Sequence, residues 1–406
     1  GRPPQDHRVA LAGLDGAEMQ GEWRLVVESA VHAAHSGALH SWGLTFDGGH
    51  RGTIDAIWLN DTTSSNLLNC AYANIVSTQA AARASRAIVV AGTIGSAATD
   101  PLQSTTRYLA EKAFATLAYR GYSAADIHYL GFGDSAHLDG AATRAGLAQA
   151  ITNWAADAGE LFLYLVDHGG REEGEGRFKL NAGEFITASE LSAWLDALQD
   201  GHGVDVTVVI DACNAGSFLE PLEYAGPAKR IVIAACGQDE LSYFIAGGLI
   251  SFSGAFFNGV LLGLDIQQAF EEARRGMAHY QTARIQDNGD GELAWQAQIG
   301  PAFIAGQDAP VIGSVAPNRV LDGGALALLW ARGISSAVDL HRVWCVIIPP
   351  DYLPPPGVDP VVSLPQRELA YNSVLDRYEL SDDSFSVPGT YRIIYYAEDI
   401  WGGLSQ

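Results

Sequence analysis

Two short blocks set reactive side chains just past runs of apolar, β-branched residues. In VVIDACNAGSF, 208–218, Cys213 stands three residues after the run 206–210; in YLVDHGG, 164–170, His168 stands two residues after the run 161–166. A thiol is a nucleophile only as the thiolate, and an imidazole is the side chain suited to take its proton and return it to a leaving group. The small residues Ala215, Gly216 and Ser217 behind the cysteine let a substrate backbone come close, and a turn there would aim backbone N–H groups at an oxyanion. A single cysteine after an apolar run is ordinarily a core residue, and a single histidine is ordinarily structural. The pairing carries the argument: each stands at the edge of its own strand, ahead of a glycine-containing loop, and together they suit covalent acyl transfer.

Such chemistry needs a scaffold that brings strand ends together. Five runs of strand length, AIVVAG (87–92), IHYLG (127–131), LFLYLV (161–166), VTVVI (206–210) and RIVIAA (230–235), alternate with helical patterns over 104–120, 140–158, 188–199 and 265–281. Thr187 or Ser189 suits the start of the third helix and Gly121 the end of the first. This alternation predicts an α/β fold, a mostly parallel sheet with helices on both faces, whose chemistry gathers at the carboxyl edge of the strands. His168 and Cys213 both fall on that edge.

Two β-rich zones flank this central zone, 50–308. Residues 1–49 alternate in GEWRLVVESAV and GALHSWGLTFDGG. Residues 309–406 carry PVIGSVAPNRVLDGGALALLWA, VWCVIIPPDY and GTYRIIYYAEDIWG, separated by turns such as PPDYLPPPG, the spacing of an immunoglobulin-like β-sandwich. The chain opens on Gly1, which fits a segment cut from a longer precursor.

Composition narrows the partners. With 24 Lys and Arg against 47 Asp and Glu, the net charge of −23 argues against nucleic acid or an anionic membrane as the main partner. No apolar run reaches the length of a membrane span. The four cysteines, Cys70, Cys213, Cys236 and Cys345, lie far apart without CxxC spacing, so neither a zinc knuckle nor a disulfide framework is expected. Cys236, with apolar flanks, reads as a packing residue. QDNGDGE, 286–292, has Asn288, Asp290 and Gly291 at calcium-loop offsets. Gln286 and Ala297 stand where the first Asp and the bidentate Glu belong, so the stretch reads as a polar turn. GFGDSAHLDG, 131–140, reads as a loop over the active edge.

The two blocks resemble the signature blocks of the legumain family of cysteine peptidases, in the clan (clan CD) that also holds caspases, gingipains and metacaspases. IVVAGTIGS (88–96) resembles the family's first strand. GRFKLNAGEFITASELSAWLDAL resembles the segment between its His and Cys blocks, and IVIAACGQDELSYF (231–244) the strand and loop that follow. The resemblance covers 85–305. It implies a caspase-haemoglobinase-like fold and a cysteine endopeptidase acting on peptide or protein substrates without a metal or organic cofactor. By the resemblance Cys213 is the nucleophile, His168 the general base and acid, and the N–H groups of Gly169 and Cys213 the oxyanion hole.

Asp211 matches the acidic residue that lines the pocket for the residue before the scissile bond, and Ser242 matches another lining position. The family's orienting asparagine finds no counterpart in GTIGSAATDPLQSTTR, 92–107. An asparagine pocket also needs an arginine, and Arg107 is the nearest in order. With Arg107, cleavage after Asn or Asp is expected; without it, Asp211 favours Arg or Lys, and the acidic loop REEGEGR, 171–177, fits that case.

Residues Gly21, Trp23, Leu25, Val27, Gly37, Leu39, Trp42, Leu44 and Phe46 resemble the last half of a P domain, the β-sandwich that accompanies secreted subtilisin-like proteases. Residues 309–406 resemble the Ig-like domains appended to secreted bacterial enzymes. These likenesses imply a secreted or cell-surface bacterial protein whose β domains are available to a cell-surface partner. Two other functions stay open: an idle α/β scaffold in a surface binding or adhesion protein, and a peptide ligase in which an amine replaces water.

Overall fold

The computed structural model describes residues 84–95, 100–287, 298–300, 309–322, 324–352 and 361–405, together with two short strands, β1 (Asp55–Ile57) and β2 (Ala71–Ala73), which pair antiparallel. The P-like zone 1–49, Cys70, residues 288–292 of the polar turn and most of PPDYLPPPG lie outside the described residues. The chain divides into two compact units, Gly1–His40 with Phe46–Ala82, and Ser41–Thr45 with Arg83–Gln406. All remaining elements belong to the second.

In chain order its strands up to residue 286 are β3 (Ser85–Ala91), β4 (Ile127–Gly131), β5 (Gly140–Ala141), β6 (Glu160–Val166), β7 (Gly169–Glu172), β8 (Glu175–Lys179), β9 (Phe185–Thr187), β10 (Asp205–Asp211), β11 (Arg230–Ala234), β12 (Phe244–Ile245) and β13 (Arg284–Gln286). Seven form the central sheet in the order β13-β11-β10-β6-β3-β4-β5, parallel throughout except for β13 at one edge. Five α-helices lie among the described residues: α1 (Gln103–Tyr119), α2 (Arg144–Gln149), α3 (Ala188–His202), α4 (Phe252–Leu261) and α5 (Ile266–Met277).

Because successive strand residues point to opposite faces, the apolar runs feed two cores. Ala87, Val89, Phe162, Tyr164 and Val209 pack with residues of α1, α4 and α5. Ile88, Val90, Leu163, Leu165, Val208 and Ile210 pack with residues of α2 and α3. The expected parallel sheet with helices on both faces is therefore present. Thr187 caps α3 in a capping box with Glu190, and Gly121, at φ +98°, follows the end of α1.

Three expectations change. The helix expected over 140–158 is a short strand at 140–141, then α2 and a π-helical turn at Ala150–Trp154, because Leu130 and Gly131 pair with Gly140 and Ala141 before the chain turns inward. REEGEGR is no loop: Glu172 pairs with Glu175 across a two-residue turn in which Glu173 and Gly174 both take positive φ, closing the β7–β8 hairpin. Helix α4, FSGAFFNGVL, went unseen in the sequence. It is buried on nearly every side, so it lacks the polar face that makes a helical period visible.

The C-terminal zone holds β14 (Val311–Val315), β15 (Ala327–Ser335), β16 (Leu340–Ile348), β17 (Val361–Val362), β18 (Gln366–Glu368), β19 (Ala370–Asn372), β20 (Arg377–Asp382) and β21 (Arg392–Asp399). Two antiparallel sheets, β14-β15-β20-β19 and β18-β16-β21, enclose Leu329, Ala331, Val343, Cys345, Leu369 and Ala397. The sandwich is bound to the α/β core. β17 pairs with β12, the Asn258 side chain bridges both ways to the Leu404 backbone, and Lys112 on α1 donates to the Gly402 carbonyl at 3.0 Å. No helix among the described residues is long and apolar enough to cross a membrane.

Lys112 makes this junction sensitive to pH. Burial pushes its ammonium down from the ordinary 10.5 to about 8, against the pull of Glu398 and Asp399. Between those values the unfolded chain holds the proton that the folded chain has released, so this group makes stability rise with pH. Relative to Lys112→Met, the wild type should gain about 2 kcal/mol in unfolding free energy between about pH 8 and pH 10. Parallel denaturant curves for the two proteins would refute a buried, depressed lysine.

Candidate active site

β6 and β10 are neighbours in parallel register, with Val166 opposite Asp211. The residues that follow therefore leave the sheet side by side, His168 from one strand and Cys213 from the next. Gly169 seals the junction: a Cβ there would overlap the Cys213 carbonyl oxygen and stand 2.9 Å from the Ala212 Cβ, so the histidine loop lies against the cysteine turn only with glycine at this position. The Lys179 N–H donates to the His168 carbonyl, tying the loop to β8.

After Cys213 the chain reverses through Asn214 at φ +60°, a left-handed conformation that asparagine tolerates better than most residues, and enters a 3-10 turn over Ala215–Phe218. The turn is pinned from both sides. Asn214 donates from its backbone to Glu240 and from its side chain to Gln238, both at 2.8 Å. The Ser217 N–H and hydroxyl both donate to the Asn214 carbonyl.

Cys213 itself is 9% exposed. Burial pushes its thiol pKa up and the nearby Asp211 adds to the rise, while the Ser242 N–H opposes it. A thiol so placed is largely protonated at neutral pH. Alkylation of Cys213 by iodoacetamide, followed by peptide mapping, should climb about tenfold per pH unit between about pH 6 and 8. A rate already level in that window would show a preformed thiolate.

The sequence reading placed no partner for His168, and the structure sets Asp100 beside it. His168 Nε2 lies 3.1 Å from Asp100 Oδ1, with the carboxylate buried and the imidazole partly open to solvent. Oδ1 also accepts from the Leu102 N–H at 3.0 Å and Oδ2 from the Ile94 N–H at 3.1 Å. Burial alone would raise the Asp100 pKa, but these N–H groups and His168 hold it below the usual carboxylate value. The only local signal for it is an acid immediately before Pro101, two residues ahead of α1.

Asp211 is fully enclosed. Its Oδ1 accepts from the Ser242 hydroxyl at 2.5 Å, and its Oδ2 accepts from the Ser253 N–H at 3.0 Å and hydroxyl at 2.6 Å at the first turn of α4, where the helix dipole favours a carboxylate. Burial still raises its pKa, with the serine donors pulling the other way. Gln281 completes the cluster by donating to the Ala235 carbonyl and the Ser242 hydroxyl and accepting from the Tyr243 N–H. The sequence reading named Asp211 and Ser242 and missed Ser253 and Gln281, which reach the site from the α4 start and the chain after α5. Arg107 lies exposed on α1, 3.6 Å from Asp134 in the loop after β4. Cys236 is fully buried, its thiol donating to the Ala212 and Glu240 carbonyls.

The neighbouring Asp167 is buried, and burial together with the Asp100 charge raises its carboxyl to about 8, against the His168 N–H, Thr106 and Lys179.

No curated protein matches the chain. Among solved structures, a caspase-1 from Spodoptera frugiperda aligns at TM-score 0.37 and 14% identity, over 50% of this chain and 85% of the caspase. The Drosophila initiator caspase Dronc aligns at TM-score 0.35 and 8% identity, over 50% of this chain and 78% of Dronc. The family model of the Peptidase C13 family matches residues 70–282, which span β6, β10 and both candidate residues, and the chain belongs to that family of legumain-type peptidases.

Proposed function

We propose that the chain is a cysteine endopeptidase working through Cys213 and His168. The observation that carries this reading is their emergence from adjacent parallel strands in register, with the Gly169 backbone packed on the cysteine turn and Asp100 on the imidazole. His168 takes the thiol proton and the sulfur attacks the substrate carbonyl carbon, with the N–H groups of Gly169 and Cys213 as donors to the oxyanion. The imidazolium then gives its proton to the leaving amine, and a thioester to Cys213 remains. Water, deprotonated by His168, attacks the thioester and releases the acid and the thiol.

Two side chains would select the residue before the scissile bond. Arg107, exposed on α1, would meet an Asn or Asp side chain; Asp211, enclosed by Ser242 and Ser253, would meet Arg or Lys only after the Ser242 segment moves aside and a serine donor is exchanged for the substrate cation. The test is a peptide library varied at that residue, with wild type and Cys213→Ala. Cleavage lost with the thiol supports the peptidase, and the preferred residue selects the pocket; amide products in the presence of added amines would identify a ligase. Cleavage that persists in Cys213→Ala would sink the mechanism. The thiol's burial is what an idle scaffold in a surface adhesion protein would also show, and absence of cleavage after limited proteolysis would favour that role. The sequence likenesses of 1–49 and 309–406 to domains of secreted proteins support an extracellular setting, which the appearance of the tagged protein in the culture medium would check.

A further inference from the structure

Two buried acids flank the imidazole, and only one of them is fully hydrogen-bonded. Asp100 and Asp167 are both buried, 1% and 0% exposed, on the inner side of His168. Every Asp100 oxygen has a donor, from Leu102, Ile94 or His168. Asp167 differs: neither of its oxygens meets a partner at hydrogen-bonding geometry, and the adjacent Thr106 hydroxyl is likewise unpartnered. A buried carboxyl with no well-formed hydrogen bond leaves its acceptors unused, and without a cation its own proton is what compensates it. A Cβ on Gly92 would overlap Asp167, which closes the backbone side, and Thr106 and Lys179 lie near the carboxyl, so a cation would reach it from the side of Asp100 and His168.

One ligand atom each from Asp100, Asp167 and His168 lies within 4.8 Å of the other two. Zinc-like cations hold imidazole nitrogen and carboxylate oxygen at about 2.0–2.2 Å in tetrahedral geometry, so ligand atoms around such an ion stand about 3.3–3.6 Å apart, and side-chain rotations of about an ångström close the set. Two carboxylates and one imidazole are too few oxygens for calcium, whereas mixed N and O donors with an open position suit a first-row divalent ion. The partly exposed imidazole leaves room for water at that position.

We propose that Asp100, Asp167 and His168 form a binding site for a zinc-like divalent cation. The site stands independently of any peptidase activity. Where His168 serves as the general base, as in the function proposed above, the ion occupies the nitrogen that faces Asp100 and anchors the ring, so the metal-bound and catalytic states exclude each other.

Zinc binding to Cys213→Ala decides the matter, because that variant lacks the one thiol at the site. Calorimetry should show one ion per chain, and Cys213→Ala/Asp167→Asn should bind at least about a hundredfold more weakly. Cobalt in the same variant should give visible absorption without a thiolate charge-transfer band. No binding by Cys213→Ala, or equal binding by the double variant with its fold verified by circular dichroism, would overturn the site. In wild type, zinc inhibition reversed by a chelator and weakened by Asp167→Asn is expected. Inhibition that Asp167→Asn leaves unchanged would assign the ion to the thiol and overturn the proposal.

Discussion

His168→Ala is expected to lower kcat/KM by about a thousandfold or more, at the upper part of the range a general acid–base group contributes. The reason for the upper part is the buried thiol: with its pKa raised, little thiolate exists without a base to draw the proton. Asp100 acts through His168 as a positioning residue, and its variants separate orientation from charge. Asp100→Ala removes the acceptor that fixes the ring and should reduce kcat by about ten- to a hundredfold with KM nearly unchanged, since no substrate contact is lost.

Asp100→Asn keeps an oxygen for His168 and Leu102 but turns its amide toward the Ile94 N–H, donor against donor. That mismatch costs about 1–3 kcal/mol of stability. Activity should be better preserved than in Asp100→Ala, and this rescue is what a purely structural carboxylate would not show. Steady-state kinetics on the three variants test the set. Full activity in Asp100→Ala would remove Asp100 from the mechanism.

Asp211→Ala carries the second large effect, on folding first. It strands two serine hydroxyls and the Ser253 N–H beneath the sheet edge, each deprived of its acceptor in a site closed to water. The combined cost is about 3–5 kcal/mol, the range seen when one partner of a buried charged set is removed. Denaturant unfolding should show it directly. Asp211→Asn should lose much less, because the amide oxygen still accepts from Ser253 and the amide N–H donates to the Ser242 hydroxyl, which can serve as acceptor.

The same Asn variant removes the negative charge that helps raise the Cys213 pKa, so alkylation of Cys213 should become faster. If Asp211 also reads a basic substrate residue, Asp211→Asn should lose cleavage after Arg and Lys selectively. Unchanged stability in Asp211→Ala would contradict the closed hydrogen-bond set.

Much of this protein was legible in one dimension. The strand runs, the parallel sheet and the carboxyl-edge placement of His168 and Cys213 were readable because strand length, β-branched content and side-chain alternation are local properties, and a residue two positions past a strand end can only lie at its edge. Asp211 and Ser242 were readable from the family-like blocks around them.

What required the folded chain shares one physical feature, partners distant in sequence. Asp100 meets His168 across 68 residues, and Ser253 meets Asp211 across 42, through a helix buried on nearly every face, which hid its period. The hairpin that REEGEGR forms was masked by its charges, since the turn depends on two consecutive positive φ angles rather than on polarity. The seating of the C-terminal sandwich on α1 through Lys112 and Gly402 spans 290 residues. The sequence by itself determined which side chains could carry the chemistry and on which edge they stand. The tertiary structure alone decided which carboxylate holds the histidine, which donors close around Asp211, and which buried acid is left without one, because burial and hydrogen-bond pairing are properties of packing rather than of any local run of residues.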